Sequence, residues 1–342
     1  MESKIIVTGG AGYIGSHTII ELLENTNYEV ISIDNFSNSS ATTYERIEKI
    51  TGKKVKNYNI DLCSQSDVEK IFENEKNILG IIHFAAFKSV PESVENPAKY
   101  YHNNINSLLN ILNAVIKFNI EKIIFSSSCS VYGNIANLPV QENTPLGKAE
   151  SPYAYTKQIG ENILSDYTIA NKKLQSIALR YFNPVGAHSS GLIGEFPINK
   201  PNNLVPVITQ TAIGKIEKTV VFGDDYPTRD GTCIRDYVHV CDIASAHVIA
   251  LKKIISDNIT EKFSIFNLGT GKGVSVLEAI KSFEKVSGKK LNFEIGKRRE
   301  GDVEAIYSDT SKSEKELGWK PKFDLDVMME TAWKWEQNLA QK

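Results

Sequence analysis

A chain of 342 residues, 41% hydrophobic and 23% charged, exceeds what one hydrophobic core usually organises, so two lobes or a large domain with a smaller one attached are expected. Lys and Arg number 39 against 41 Asp and Glu, so charge gives no reason to expect nucleic acid or an anionic membrane as partner. Four cysteines, Cys63, Cys129, Cys233 and Cys241, form no C-x-x-C pair and are too scattered for a disulfide framework; reduced thiols are expected.

The opening residues, Met1-Glu2-Ser3-Lys4, show no basic n-region or cleavage site, and no apolar run is long enough to span a bilayer, so a cytoplasmic protein is expected. Residues 4–8 form a short β-branched run ending in glycines. Residues 13–24 carry Ile14, Ile19, Leu22 and Leu23 at helical spacing. Between them, Gly9-Gly10-Ala11-Gly12-Tyr13-Ile14-Gly15 satisfies both G-x-G-x-x-G and G-x-x-G-x-x-G. Alone the pattern is weak. Between a strand and a helix it reads as a dinucleotide site, because the backbone must turn tightly, approach a pyrophosphate and offer it helix N-terminal N–H groups. A second strand-like run, 29–33, is followed by Asp34, 19 positions after Gly15. A carboxylate there accepts hydrogen bonds from adenosine ribose hydroxyls and repels a 2′-phosphate, so NAD is expected rather than NADP.

Strand-like runs recur at 55–60, 80–85, 122–126 and 175–180, separated by segments long enough for helices, which implies a parallel sheet with helices on both faces. After the run at 122–126, Ser126-Ser127-Ser128 delivers hydroxyls to the C-terminal end of the sheet, where open α/β folds bind ligands. Tyr153 and Lys157 lie at i and i+4, on one helical face. A free tyrosine titrates at about 10, but a neighbouring ammonium and a nicotinamide cation both favour phenolate, which would make Tyr153 an acid and base. By itself Y-x-x-x-K is common by chance; joined to the glycines and serines it gains weight.

After Asn183-Pro184 the texture becomes loop-rich, with Pro197, Pro201, Pro206 and Pro227, then helical at 205–214 and 242–255. The expected class is α/β: a Rossmann-like doubly wound parallel sheet with a smaller C-terminal α/β substrate lobe. Residues 1–183, plus a strand near 263–268, would form the NAD-binding domain, and 184–262 with 269–342 an interleaved substrate lobe. No internal repeat is visible. The six histidines show no metal-ligand spacing, so no metal is expected, and Tyr132 and Tyr155 read as packing residues.

These residues resemble the extended short-chain dehydrogenase/reductase family, and within it the UDP-hexose 4-epimerases, nearly end to end. The resemblance is carried by Thr8 through Gly15, Asp34-Asn35, His83-Phe84-Ala85-Ala86, Ser126 through Gly133, Ser151-Pro152-Tyr153 and Arg180-Tyr181-Phe182-Asn183. It continues in Gly223 through Thr228, Asp230-Gly231-Thr232, Arg235 through Val240, Arg298-Arg299-Glu300-Gly301-Asp302 and Leu317-Gly318-Trp319. It implies interconversion of UDP-galactose and UDP-glucose through a 4-keto sugar with tightly bound NAD. Ser128 and Tyr153 would meet the reacting hydroxyl, while Lys157 would hold the nicotinamide ribose and lower the Tyr153 pKa. NAD would be contacted by Gly9, Gly12, Tyr13, Ile14, Gly15, Asp34, Asn35, Asn38, Ser39, Asp61, Leu62, Phe84, Ala85, Ala86, Lys88, Asn103, Ser126, Tyr153, Lys157 and Tyr181. The nucleotide-sugar would meet Lys88, Ser128, Tyr153, Asn183, Asn203, Leu204, Phe222, Arg235, Arg299 and Asp302. The arginines suit a diphosphate, whose oxygens match guanidinium forks.

At the position of Ile306 a large aromatic restricts the sugar pocket of some family members; the smaller isoleucine is expected to admit some N-acetylated hexose (UDP-GlcNAc, UDP-GalNAc). The resemblance also implies a homodimer built from helices near 104–118 and 153–170. Two other readings compete. Nucleotide-sugar dehydratases carry an Asp-Glu pair where this chain has Cys129 and Ser130, so elimination lacks its acid and base. A non-enzymatic NAD sensor would commonly lose the Tyr or Lys retained here.

Overall fold

The computed structural model describes residues 3–198, 201–259, 261–299 and 302–341; Met1, Glu2 and the Glu300-Gly301 pair of the arginine motif lie outside them. Strands and helices alternate through β1 (Lys4–Thr8), α1 (Tyr13–Asn25), β2 (Glu29–Ile33), α2 (Thr42–Thr51), β3 (Lys56–Tyr58), α3 (Gln65–Asn74) and β4 (Ile78–His83). They continue with α4 (Val90–Glu95), α5 (Pro97–Lys117), β5 (Lys122–Ser128), α6 (Pro152–Ala170) and β6 (Gln175–Tyr181). The order then loosens: β7 (Asn183–Val185), α7 (Leu204–Ala212), β8 (Thr219–Phe222), β9 (Ile234–His239), α8 (Val240–Ile255) and β10 (Phe263–Leu268). Last come β11 (Gly273–Ser275), α9 (Val276–Ser287), β12 (Phe293–Gly296), β13 (Ala305–Ile306) and α10 (Leu325–Ala340).

Seven parallel strands pair in the order β10-β6-β5-β4-β1-β2-β3. Alternation along each strand supplies two buried faces. Ile5, Val7, Ile124, Ile177 and Leu179 point to the side of α1 and α8, whereas Ile6, Ile123, Phe125 and Ala178 meet α3, α5 and α6 on the other. Strand order reverses between β1 and β4, and the loops leaving those two strands open the crevice where such sheets bind ligands.

Three bounds differ from the sequence expectation. β4 spans Ile78–His83 rather than 80–85, β3 is three residues long, and β5 runs on through the serines, because Ser126, Ser127 and Ser128 pair with Leu179, Arg180 and Tyr181 of β6. The helix at 240–255 also departs from its expected place in the second lobe. α8 lies against the central sheet beside α1, burying Ile243, Ala246, Leu251 and Ile254 in the same cluster as Ile5 and Val7. Its helical spacing is plain in the sequence, but which core it joins is set by packing, and the loop-rich segment before it pointed to the second lobe. The remaining elements form a second core in which α7, α9 and α10 enclose Ile208, Val221, Phe283 and Met329. Among the described residues no helix is long and apolar enough to cross a membrane.

Candidate active site

The glycine loop leaves β1 and passes the loop after β4. Gly9 has φ +70°, and a Cβ there would come 2.8 Å from the Ala85 amide nitrogen; only glycine allows both the turn and this approach. Asp34 follows β2 directly. Its Oδ2 accepts the Ala11 N–H at 2.9 Å, and its Oδ1 accepts the Phe36 N–H at 2.9 Å and the Ser39 hydroxyl at 2.8 Å. The carboxylate is thereby fixed at the mouth of the loop with acceptor capacity to spare. Asn35 and Asn38 are exposed beside it, as is Asp61, while Leu62 is buried and its carbonyl accepts from Asn110 at 2.8 Å.

Across the crevice, α6 begins at Ser151, whose hydroxyl accepts the Ala154 N–H at 3.2 Å, with Pro152 at the first helical position. This start places Tyr153 in the first turn and Lys157 one turn later. The Lys157 ammonium donates to the Ser126 carbonyl at 2.7 Å and lies 6.0 Å from the Tyr153 ring centre. Ser128 ends β5 and accepts from the Ser130 N–H and hydroxyl at 3.2 and 3.0 Å. Ser126 receives the Tyr181 hydroxyl. Serines, tyrosine and lysine thus gather where the ends of β5 and β6 meet the first turns of α6.

Burial governs their titration. It pushes the Tyr153 phenol up to about 12, partly offset by the neighbouring Ser128 hydroxyl, and pushes Lys157 down to about 7 against the opposing charge of Glu161. The Tyr153 shift is set mainly by its dry surroundings, with the Ser128 hydroxyl opposing and Cys129 adding to it. The ammonium is bound to a carbonyl rather than to the phenol, and it resists its own charge in the same dry surroundings. Tyr155, expected to pack, is 48% exposed and only edges against Tyr101. The Cys129 thiol is pushed up to about 12 by burial, which leaves it inert.

The second lobe contributes a separate cluster. Arg235 and Arg299 converge on Asp302, at 3.5 and 2.8 Å, and Arg299 lies 5.5 Å from the centre of the Phe222 ring, which is exposed at the end of β8. Ile306 is 6% exposed, pairs in register with Arg235 and packs with Val131 and Phe182. Asn183 starts β7, and its buried Oδ1 has no hydrogen-bond partner among the described residues, so a donor from a ligand would satisfy it. Asn203 stands at the N-terminal cap position of α7, immediately before Leu204, without a side-chain capping bond. Lys88 projects from the loop after β4, where its ammonium bonds Glu195 at 2.9 Å, while Tyr13 reaches the other lobe by donating to the Gly186 carbonyl at 2.6 Å.

Several residues that hold this arrangement escaped the sequence reading. Asn104 is buried on α5 and accepts from Phe87 N–H and Asn103 while donating to Phe87 carbonyl and Thr156, tying the loop that bears Lys88 to α6. Asp236 is fully buried and accepts from Thr270, Gly271 and Ser308, locking β9, and with it Arg235, to the segment after β13. Glu161 and Arg180 pair at 2.6 Å beneath the serines, with the Ser127 hydroxyl donating to the same carboxylate. No local signal marks them: Asn104 stands in the polar run His102-Asn103-Asn104-Ile105-Asn106 and Asp236 directly follows Arg235, so only contacts made by the fold reveal their roles.

A family profile described as GDP-mannose 4,6 dehydratase matches residues 6–332. UDP-glucose 4-epimerase of Bacillus subtilis (strain 168) is 48% identical over 334 residues, covering 98% of this chain and 97% of the relative. Among solved structures, UDP-glucose 4-epimerase from Bifidobacterium longum in complex with NAD+ and UDP superposes with a TM-score of 0.92 at 47% identity, covering 98% of both chains. The enzyme of the same name from Stenotrophomonas maltophila, with bound NAD and formylated UDP-arabinopyranose, gives a TM-score of 0.95 at 41% identity over 99% of both chains.

Proposed function

The chain belongs to the UDP-glucose 4-epimerases of the extended short-chain dehydrogenase/reductase family, and on that premise we propose how its residues interconvert UDP-galactose and UDP-glucose through a 4-keto sugar with bound NAD. The observation that carries the reading is the meeting of Ser128, Tyr153 and Lys157 at the sheet's C-terminal edge, opposite the Arg235, Arg299 and Asp302 cluster. The residues fit the dinucleotide. Gly9 clears space against Ala85, Asp34 is fixed for ribose hydroxyls, and Lys157 stands beside Ser126 for the second ribose. When bound, nicotinamide supplies the acceptor and donor of the C4 hydride and a positive charge beside the phenol.

Tyr153 takes the C4 hydroxyl proton and later returns it, with Ser128 orienting that hydroxyl. Arg235 and Arg299 hold the diphosphate, so binding energy resides in the UDP part and the hexose is free to present either face. Asn183, Asn203, Leu204, Phe222 and Asp302 complete the nucleotide-sugar site. Cys129 and Ser130 provide no carboxylate for dehydration, which separates this chain from the enzyme whose name the family profile bears. The two-lobed division, with the parallel sheet and α8 on the cofactor side, follows the same logic. We assign dimer formation to α5 and α6, whose surfaces expose Ile116, Tyr155 and Ile169.

The test is to purify the protein without added cofactor, incubate it with UDP-galactose and with UDP-GalNAc, and resolve the nucleotide-sugars by chromatography. Conversion of UDP-galactose to a mixture with UDP-glucose supports the reading and a retained cofactor; conversion of UDP-GalNAc as well shows that Ile306 leaves room for the acetamido group. No reaction with either sugar, even with NAD supplied, overturns it.

A further inference from the structure

We propose that Glu195 is a positioning residue for this reaction: one carboxylate oxygen straps the cleft by holding Lys88 of the cofactor lobe and Asn203 at the start of α7. The proposal rests on the epimerase reading and deepens it. Glu195 Oε1 accepts from Lys88 Nζ at 2.9 Å and from Asn203 Nδ2 at 2.7 Å, so groups on two lobes, both expected at the nucleotide-sugar, are set by one atom.

That atom is itself firmly placed. The Glu195 carbonyl accepts the Trp335 indole N–H at 2.9 Å, and Trp335 is 5% exposed. The Arg46 guanidinium of α2 lies 4.8 Å from the Trp335 ring centre and 5.9 Å from that of Phe196, so the strap's neighbour on the chain and its anchor are both tied back to the cofactor lobe. The Glu195 side chain is only 12% exposed, whereas Lys88 remains 49% exposed and would otherwise sample solvent.

Charge gives the arrangement its purpose. A bare carboxylate facing a diphosphate site would repel the ligand; paired with Lys88 it presents no net negative charge. The pairing consumes one of three ammonium donors and one amide donor, leaving Lys88 two donors and Asn203 an acceptor and a donor to offer the ligand. Glu195 therefore orients both side chains without occupying them. UDP affinity, which rests on the arginines, should change little when it is lost. What suffers is the orientation of the sugar toward the nicotinamide and the closure that retains the 4-keto sugar; if that sugar leaves, its hydride stays behind on the nicotinamide.

Wild type, Glu195→Gln and Glu195→Ala are compared as purified holoenzymes with UDP-galactose, measuring kcat and KM, UDP affinity by calorimetry, and fluorescence of reduced nicotinamide over many turnovers. Glu195→Ala is expected to lower kcat by about tenfold or more with KM and UDP Kd within about threefold, and to accumulate reduced nicotinamide. Glu195→Gln, whose amide oxygen still accepts from both partners, falls between. A kcat for Glu195→Ala equal to wild type, or a loss matched by an equal loss of folded protein with no reduced nicotinamide, overturns the strap. An inactive wild type overturns instead the functional reading beneath it.

Discussion

Tyr153 and Lys157 titrate in opposite directions for one reason: the pocket excludes the water that would stabilise either charge. A phenol pushed up to about 12 beside an ammonium pushed down to about 7 cannot work as a base near neutrality. On the proposed mechanism the positive charge of a bound nicotinamide would favour the phenolate and so couple proton transfer to occupancy of the cofactor site. Tyr153→Phe removes the proton carrier while preserving shape. Its kcat is expected to fall by about 10²- to 10⁴-fold, with UDP affinity unchanged, because the hydroxyl serves the chemical step rather than the uridine. Steady-state rates and UDP calorimetry on the holoenzyme decide this. A variant that keeps its kcat would transfer the proton role to Ser128 or to water.

At the scale of the element, the start of α6 determines where that phenol stands. The Ser151 hydroxyl receives the Ala154 N–H, and the Ser151 carbonyl receives Tyr155 N–H at 3.0 Å, so the first turn that carries Tyr153 is closed from both ends. Ser151→Ala should cost about 1 kcal/mol in urea unfolding and Ser151→Gly less, since glycine permits the cap backbone conformation. Equal stability of the two variants would deny Ser151 its capping role. Elements were legible where their signals are local. β1, β2 and β10 begin and end where their apolar runs do, and Tyr153-x-x-x-Lys157 needs nothing beyond one helical turn. β5 was cut short because serines resemble a loop; their strand conformation comes from pairing with β6, about fifty residues away in sequence. Asn104, Asp236 and Glu195 were illegible for the same reason. Each is defined by partners brought in by the fold, such as Ser308 for Asp236, and a lone polar residue in sequence carries no record of them.

For the whole molecule, the junction of α1 and α8 makes the fold sensitive to acid. His17 and His83 are pushed down to about 3 by burial, and His239 and His247 to about 4, from an ordinary value near 6.5. His17 on α1 and His247 on α8 each bond a carbonyl one turn back through Nδ1, while their buried Nε2 atoms have no hydrogen-bond partner among the described residues. Because the folded pKa values lie below the unfolded one, the stabilisation is complete above about pH 6.5 and is lost as pH falls through the folded values. Each histidine held neutral costs about 1.4 kcal/mol for every pH unit below that point. Glu75 also acts below its unfolded value: despite the opposing push of burial, hydrogen bonds from Lys4, Lys56 and Tyr58 hold it down to about 2, so its contribution begins to fade only under about pH 4.5. Below about pH 6.5 the histidines therefore lower stability, opposed in part by Glu21 on α1, Asp242 on α8 and Glu142, whose carboxyls burial raises and whose protonation favours the folded state. Urea midpoints measured between about pH 6.5 and pH 5 should fall, and His247→Gln, which titrates nowhere in that range, should flatten the slope by about 1.4 kcal/mol per unit. A slope that His247→Gln leaves unchanged would mean that this imidazole reaches water before the fold opens, and the tight seam between α1 and α8 would have to be looser in solution than its packing indicates.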